Sequence, residues 1–232
     1  MLFRSLVLNL RGYERAVACG IREINCVVVA TDSFGLRNQG ADIETTMKTA
    51  ARIAARTQQD RIEAAVTVST AFGCPFEGEV PHERVVQLVA RLRDMGFKEA
   101  ALADTIGAAG PSDVSALLRA VRRESGDMRL RCHFHNTRNT GVANAYAAVL
   151  EGVRTLDTSC GGLGGCPFAP NATGNVATED VLYMLQRMGV ETGVDIRRIM
   201  ETARWLGARL DTQMPAMVTR AGLFPPEPAE NV

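Results

Sequence analysis

No stretch of these 232 residues approaches the ~20 consecutive apolar positions of a membrane span, so no transmembrane helix is expected. An excess of charge of one sign is missing too. Lys plus Arg equals Asp plus Glu at 26 each, which leaves no bulk field to draw the chain to nucleic acid or to an anionic membrane. A glycine-rich dinucleotide fingerprint after a first strand is absent, as is a phosphate-cradling GxxxxGK[ST] loop, and both absences weaken a nucleotide-binding reading. Histidine is scarce, with three in all. The six cysteines, Cys19, Cys26, Cys74, Cys132, Cys160 and Cys166, sit in a chain without the small, loop-rich character of a disulfide scaffold and read as reduced thiols. The opening MLFRSLVLNLRGYERAV has an apolar part too short for a secretory signal, broken by Arg4 and Arg11. The expected compartment is the cytoplasm, or an organellar matrix in a eukaryote.

What the chain does have is alternation. Short β-rich runs fall at 6–9, 24–31, 62–70, 99–104, 129–135 and 153–159, with helical patterns between them. Val85, Leu88, Val89, Leu92 and Met95 make one apolar helix face that Gly96 can end. Asp42 is placed to cap the helix carrying Ile43, Met47, Ala50 and Ala54. Strand then helix, repeated, predicts an α/β fold with a parallel sheet. A closed barrel and an open doubly wound sheet both satisfy that pattern. The (β/α)8 TIM barrel is favoured because the polar clusters DTIG, NTRN and GGLGGCP all follow strands, where barrel active sites assemble. Residues 1–210 are expected to form one catalytic domain and 211–232 a C-terminal tail, with PPEPAENV disordered.

Two of the three histidines share the tripeptide His133-Phe134-His135. Residues two apart on a strand point to one side, so Arg131, His133 and His135 share a face opposite Leu130, Cys132 and Phe134. Two imidazoles on an inner face suit a divalent cation, against the plainer reading of two hydrogen-bonded core histidines. Asp104 ends an apolar strand, where it would either serve a reacting group or cap the next turn. Asp157 also follows an apolar strand. In GGLGGCPFAP, Gly161, Gly162, Gly164 and Gly165 surround Cys166 in a segment suited to a mobile lid, from which a thiol can meet a substrate only when closed. GCPF also occurs earlier, at 73–76, and its Cys74, with fewer glycines around it, reads as structural. Asn175 and the acidic turn Thr178-Glu179-Asp180 follow the lid.

ADTIG, HFHNT, STAFGCPFEG, NLRGYERA and GGLGGCPFAPNATGNVATEDVLYML together resemble 3-hydroxy-3-methylglutaryl-CoA lyase, from about residue 6 to about residue 210. The resemblance implies a (β/α)8 barrel, a divalent metal such as Mg²⁺ or Mn²⁺, and cleavage of the acyl-CoA to acetyl-CoA and acetoacetate. It carries the metal ligands onto His133, His135 and Asn175, the lid thiol onto Cys166 and the catalytic aspartate onto Asp104. The implied partner is an acyl-CoA substrate, with a homodimer as the assembly considered and neither nucleic acid nor membrane.

Two features depart from the family. Asn136 stands where members carry Asp, and the opening Arg-Asp-Gly strand, with its enolate-stabilising Arg and metal-ligating Asp, has no counterpart. Six strands against eight in such a barrel predict a shortfall of about 60 residues upstream of Met1 and a polypeptide that is inactive or poorly soluble by itself. The alternatives are a condensing synthase of the isopropylmalate or homocitrate type, which lacks the GLGGCP lid, a lyase for a longer-chain substrate, and an inactive barrel acting as a binding partner.

Overall fold

Period-two patterning sorts each strand into a helix-facing side and an inner side. The computed structural model describes residues 3–165 and 174–225 and contains six strands among them. These are β1 (Arg4–Val7), β2 (Glu23–Val29), β3 (Glu63–Ser69), β4 (Glu99–Asp104), β5 (Arg129–Phe134) and β6 (Thr155–Asp157). All neighbouring pairs are parallel and follow chain order. Leu130, Cys132 and Phe134 of β5, with Ala100 and Leu102 of β4, join the core under the helices. Arg131 and His133 line the opposite, inner side.

The helices are α1 (Leu10–Ala18), α2 (Asp32–Gln39), α3 (Ile43–Asp60), α4 (His82–Asp94), α5 (Pro111–Glu124), α6 (Gly141–Leu150), α7 (Thr178–Arg187), α8 (Ile196–Leu210) and α9 (Met217–Ala221). Strand β1 stops at Val7 because the Asn9 side chain caps α1, accepting from the Gly12 amide at 2.9 Å. Asp42 caps α3 as expected, accepting from Thr45 at 2.8 Å. Val85, Leu88, Val89 and Leu92 of α4 are all buried. Each is worth roughly 1.5–3 kcal/mol of transfer free energy, an upper bound for a collapsed unfolded chain.

Contacts between distant strands show that the sheet curls. In a flat sheet β1 and β4, or β2 and β5, would lie about 14 Å apart, three strand spacings. Yet Arg4 on β1 reaches Glu99 on β4 at 2.6 Å, and Arg131 on β5 reaches Asn25 on β2 at 2.8 Å. Only a sheet curved around its inner face lets those side chains meet. The six strands therefore form a curled half-barrel, in agreement with the expected barrel class. The segment after residue 210 packs back on the helices. Met214 and Ala216 are buried, and Asp180 accepts from the Met217 and Val218 amides at 3.1 and 2.8 Å, docking α9 on α7. Most of PPEPAENV lies outside the described residues.

Candidate active site

His133 ends up inside because its alternation partners Cys132 and Phe134 are taken by the core. Its ring centroid lies 5.2 Å from that of His135, with the planes at 61°. Two imidazoles bound to one ion would place their centroids about 5 Å apart, so the pair fits a shared cation. Asn175 is brought to them by backbone pairing. It bridges His135 in antiparallel fashion, and the flanking Val176 amide donates to the Phe134 carbonyl at 3.0 Å. The Asn175 Nδ2 donates to the Leu163 carbonyl at 2.8 Å, which turns Oδ1 into its remaining acceptor. The His133 and His135 rings and the Asn175 backbone thus come together at the C-terminal ends of the strands. Among the described residues, no group of three or more His, Cys, Asp or Glu forms a metal cluster.

The 174–177 segment sits close because Gly174 has no side chain. A Cβ there would lie 2.0 Å from the Gly162 carbonyl oxygen. The preceding turn is held from the other side by Glu179, a fully buried carboxylate that accepts from the Gly161 amide through both oxygens at 2.9 and 3.0 Å. Burial pushes the Glu179 carboxyl up, opposed by that amide. Gly161 itself has φ +68°, which a side chain would strain. Cys166 lies outside the described residues, but its neighbour Gly165 lines the cavity.

Asp104 is not brought to this face. Its register partner is Phe134, on the helix side of the sheet, and it is completely buried. Its oxygens accept from the Ala108 and Ala109 amides at 2.8 and 3.1 Å. Burial pushes its carboxyl up against those amides. These contacts match the capping alternative of the sequence reading: Asp104 holds the turn after β4. Asn136 likewise caps, accepting from the Gly141 amide at 2.9 Å and facing the start of α6. Cys74 is buried and accepts from the Thr31 hydroxyl at 3.1 Å, as its structural reading requires.

Below the histidines, the inner face carries groups that sequence reasoning did not assign. Arg131 pairs with Asp157 at 2.6 Å and Glu99 at 3.0 Å. Asn25 donates to Thr67 at 2.9 Å, and Ser69 and Thr105 share a hydroxyl contact at 3.1 Å. Burial by itself would raise the Asp157 carboxyl, and His133 and Arg131 outweigh it and hold it below the usual range. The early signals were the placement of Arg131 on the histidine face and of Asp157 at the end of an apolar strand. Leu6, Leu8 and Val27 add an apolar wall, and the whole encloses a cavity of about 820 Å³. A polar floor, an apolar wall and a donor cluster at the mouth suit a small acyl group carried on a large leaving portion.

An HMGL-like family model matches residues 4–206. The chain is 41% identical to (R)-citramalyl-CoA lyase of Chloroflexus aurantiacus, over 97% of this chain and 71% of that one. It is 38% identical to hydroxymethylglutaryl-CoA lyase of Pseudomonas mevalonii, over 95% and 72%. Among solved structures it superposes on an HMG-CoA lyase from Acinetobacter baumannii, in complex with coenzyme A and 3-methylmalate, with a TM-score of 0.92 and 35% identity, covering 98% of this chain and 75% of that one. With a family model spanning most of the chain and lyases among its relatives at this identity, the chain belongs to the HMGL-like family and is a carbon-carbon lyase.

Proposed function

We propose that this lyase cleaves a 3-hydroxy-3-methylglutaryl-type CoA thioester to acetyl-CoA and a ketoacid, with a divalent cation held by His133, His135 and Asn175. The observation that carries the reading is the closeness of the two imidazole rings, with a backbone bridge that sets Asn175 beside His135. A bound Mg²⁺ or Mn²⁺ would supply Lewis acidity toward the C3 hydroxyl. CoA is far too large for the cavity, so the thioester end faces the mouth and the distal carboxylate end faces the polar floor. The C2–C3 bond breaks as the hydroxyl loses its proton to solvent, and the electrons of that bond become the enolate of acetyl-CoA. Cys166, next to the cavity-lining Gly165, gives that enolate a proton and is reprotonated from solvent. Ser69, Thr105 and Thr67 orient the acyl oxygens.

A second reading rests on the 41% identity to a citramalyl-CoA lyase. Citramalyl-CoA lacks one methylene between C3 and the carboxylate, and the same bond cleavage would then give acetyl-CoA and pyruvate. The protein, loaded with Mn²⁺, should release acetyl-CoA from at least one of the two thioesters. Acetoacetate or pyruvate tells which. Failure to release acetyl-CoA from either, in a folded protein that binds Mn²⁺, would overturn the lyase substrate class proposed.

A further inference from the structure

His133 and Asp157 are register partners on β5 and β6, and both side chains enter the cavity. Asp157 Oδ2 lies 3.7 Å from His133 Nδ1. Both oxygens of Asp157 accept from Arg131 Nη1, at 2.7 and 2.6 Å. Arg131 is itself pinned by Glu99 at 3.0 Å and Asn25 at 2.8 Å, with its side chain 6% exposed. The carboxylate is therefore anchored by Arg131, with Oδ2 on the Nδ1 side of the ring.

We propose that Asp157 is a positioning residue for His133, holding the proton of the neutral imidazole on Nδ1 so that the Nε2 lone pair faces the cavity. The proposal rests on the reading of His133 as a metal ligand. Neutral imidazole has one donor and one acceptor nitrogen, and the opposite tautomer would present an N–H to the cation. The 3.7 Å separation exceeds a hydrogen bond, and an approach of about 0.8 Å closes it. Arg131 keeps the carboxylate on the Nδ1 side and occupied, which makes it an orienting group for the ring and not a ligand itself.

The test uses ¹⁵N-histidine-labelled, metal-free protein near pH 8, where two-bond ¹H–¹⁵N spectra report the His133 tautomer, together with calorimetric Mn²⁺ binding. Asp157→Asn should invert the tautomer. Arg131 demands an acceptor, so the amide oxygen turns to it and the NH₂ faces the ring, moving the imidazole proton to Nε2. Mn²⁺ binding should weaken about ten- to hundred-fold. The double variant R131M/D157L removes the pair without leaving an unpaired buried charge, since Glu99 keeps Arg4 at 2.6 Å, and should also release the Nδ1–H preference in a protein shown by circular dichroism to be folded. Wild-type tautomer and affinity in both variants, with weaker Mn²⁺ binding in His133→Ala, would overturn the positioning role while leaving the ligand reading intact. Weaker Mn²⁺ binding with an unchanged tautomer would also overturn it, making Asp157 a ligand. Unchanged Mn²⁺ binding in His133→Ala would instead sink the ligand reading, and the metal-free tautomer would still judge Asp157.

Discussion

Arg131→Met removes one guanidinium from the middle of the inner face. It severs the ion pairs to Glu99 and Asp157 and the hydrogen bond to Asn25. Breaking a buried pair on one side costs about 3–5 kcal/mol, because the partner charge stays behind in low dielectric. Two features place this case at the low end. Glu99 keeps Arg4 at 2.6 Å, and the Asp157 side chain is 31% exposed, so water compensates part of its charge. A loss of about 3 kcal/mol follows. With a urea dependence of about 3 kcal/mol/M for a domain of this size, the denaturation midpoint should fall by about 1 M at pH 7. The pH dependence has a definite sign. The Asp157 carboxyl is held below its unfolded value of about 3.9, so its contribution is present above that value and is lost as pH falls through the folded one. Arg131→Met removes the guanidinium's part of that contribution, and the gap between variant and wild type should shrink in acid below about pH 4. Midpoints agreeing within about 0.2 M at neutral pH, or a gap that widens in acid, would refute the network's energetic role.

Cys166→Ser should leave the urea midpoint and Mn²⁺ affinity unchanged and lower turnover about 10²-fold or more, since a hydroxyl is a much weaker acid than a thiol; an unaltered kcat would remove it from the mechanism. Asp104→Leu strips the acceptors from the Ala108 and Ala109 amides and should cost about 2 kcal/mol or more, with faster hydrogen exchange at those two amides as the specific signature. Gly174→Ala drives a Cβ to 2.0 Å from the Gly162 carbonyl, so the 174–177 segment must shift and with it the Asn175–His135 bridge; Mn²⁺ affinity should fall with stability, by about 1–3 kcal/mol in the latter. An unperturbed G174A protein in both assays would contradict the close approach.

Much of the site was legible because a strand has a strict period of two. Leu130, Cys132 and Phe134 demand the core, and that demand alone sends Arg131 and His133 inward. Asp42 and Gly96 marked helix ends through local backbone chemistry, and the six strands fell close to where their β-rich runs lie. Asp104 shows where such reasoning stops. A carboxylate at a strand end serves a substrate or a turn depending on which face it meets, and the register of β4 against β5 placed it opposite Phe134 and behind the sheet. The docking of residues 211–223 was equally illegible, since its partners Asp180 and Gly161 lie more than thirty residues upstream.

Composition, strand-helix alternation and the spacing in His133-Phe134-His135 were thus determined by the sequence alone, because each depends on residues within a few positions of one another. The pairing of Asp157 with His133, the reach of Arg131 to Asn25 across 106 positions and the bridge from Asn175 to His135 were decided only in the tertiary structure. Those contacts exist because the sheet curls, and curvature is a property of all six strands together that no local pattern encodes.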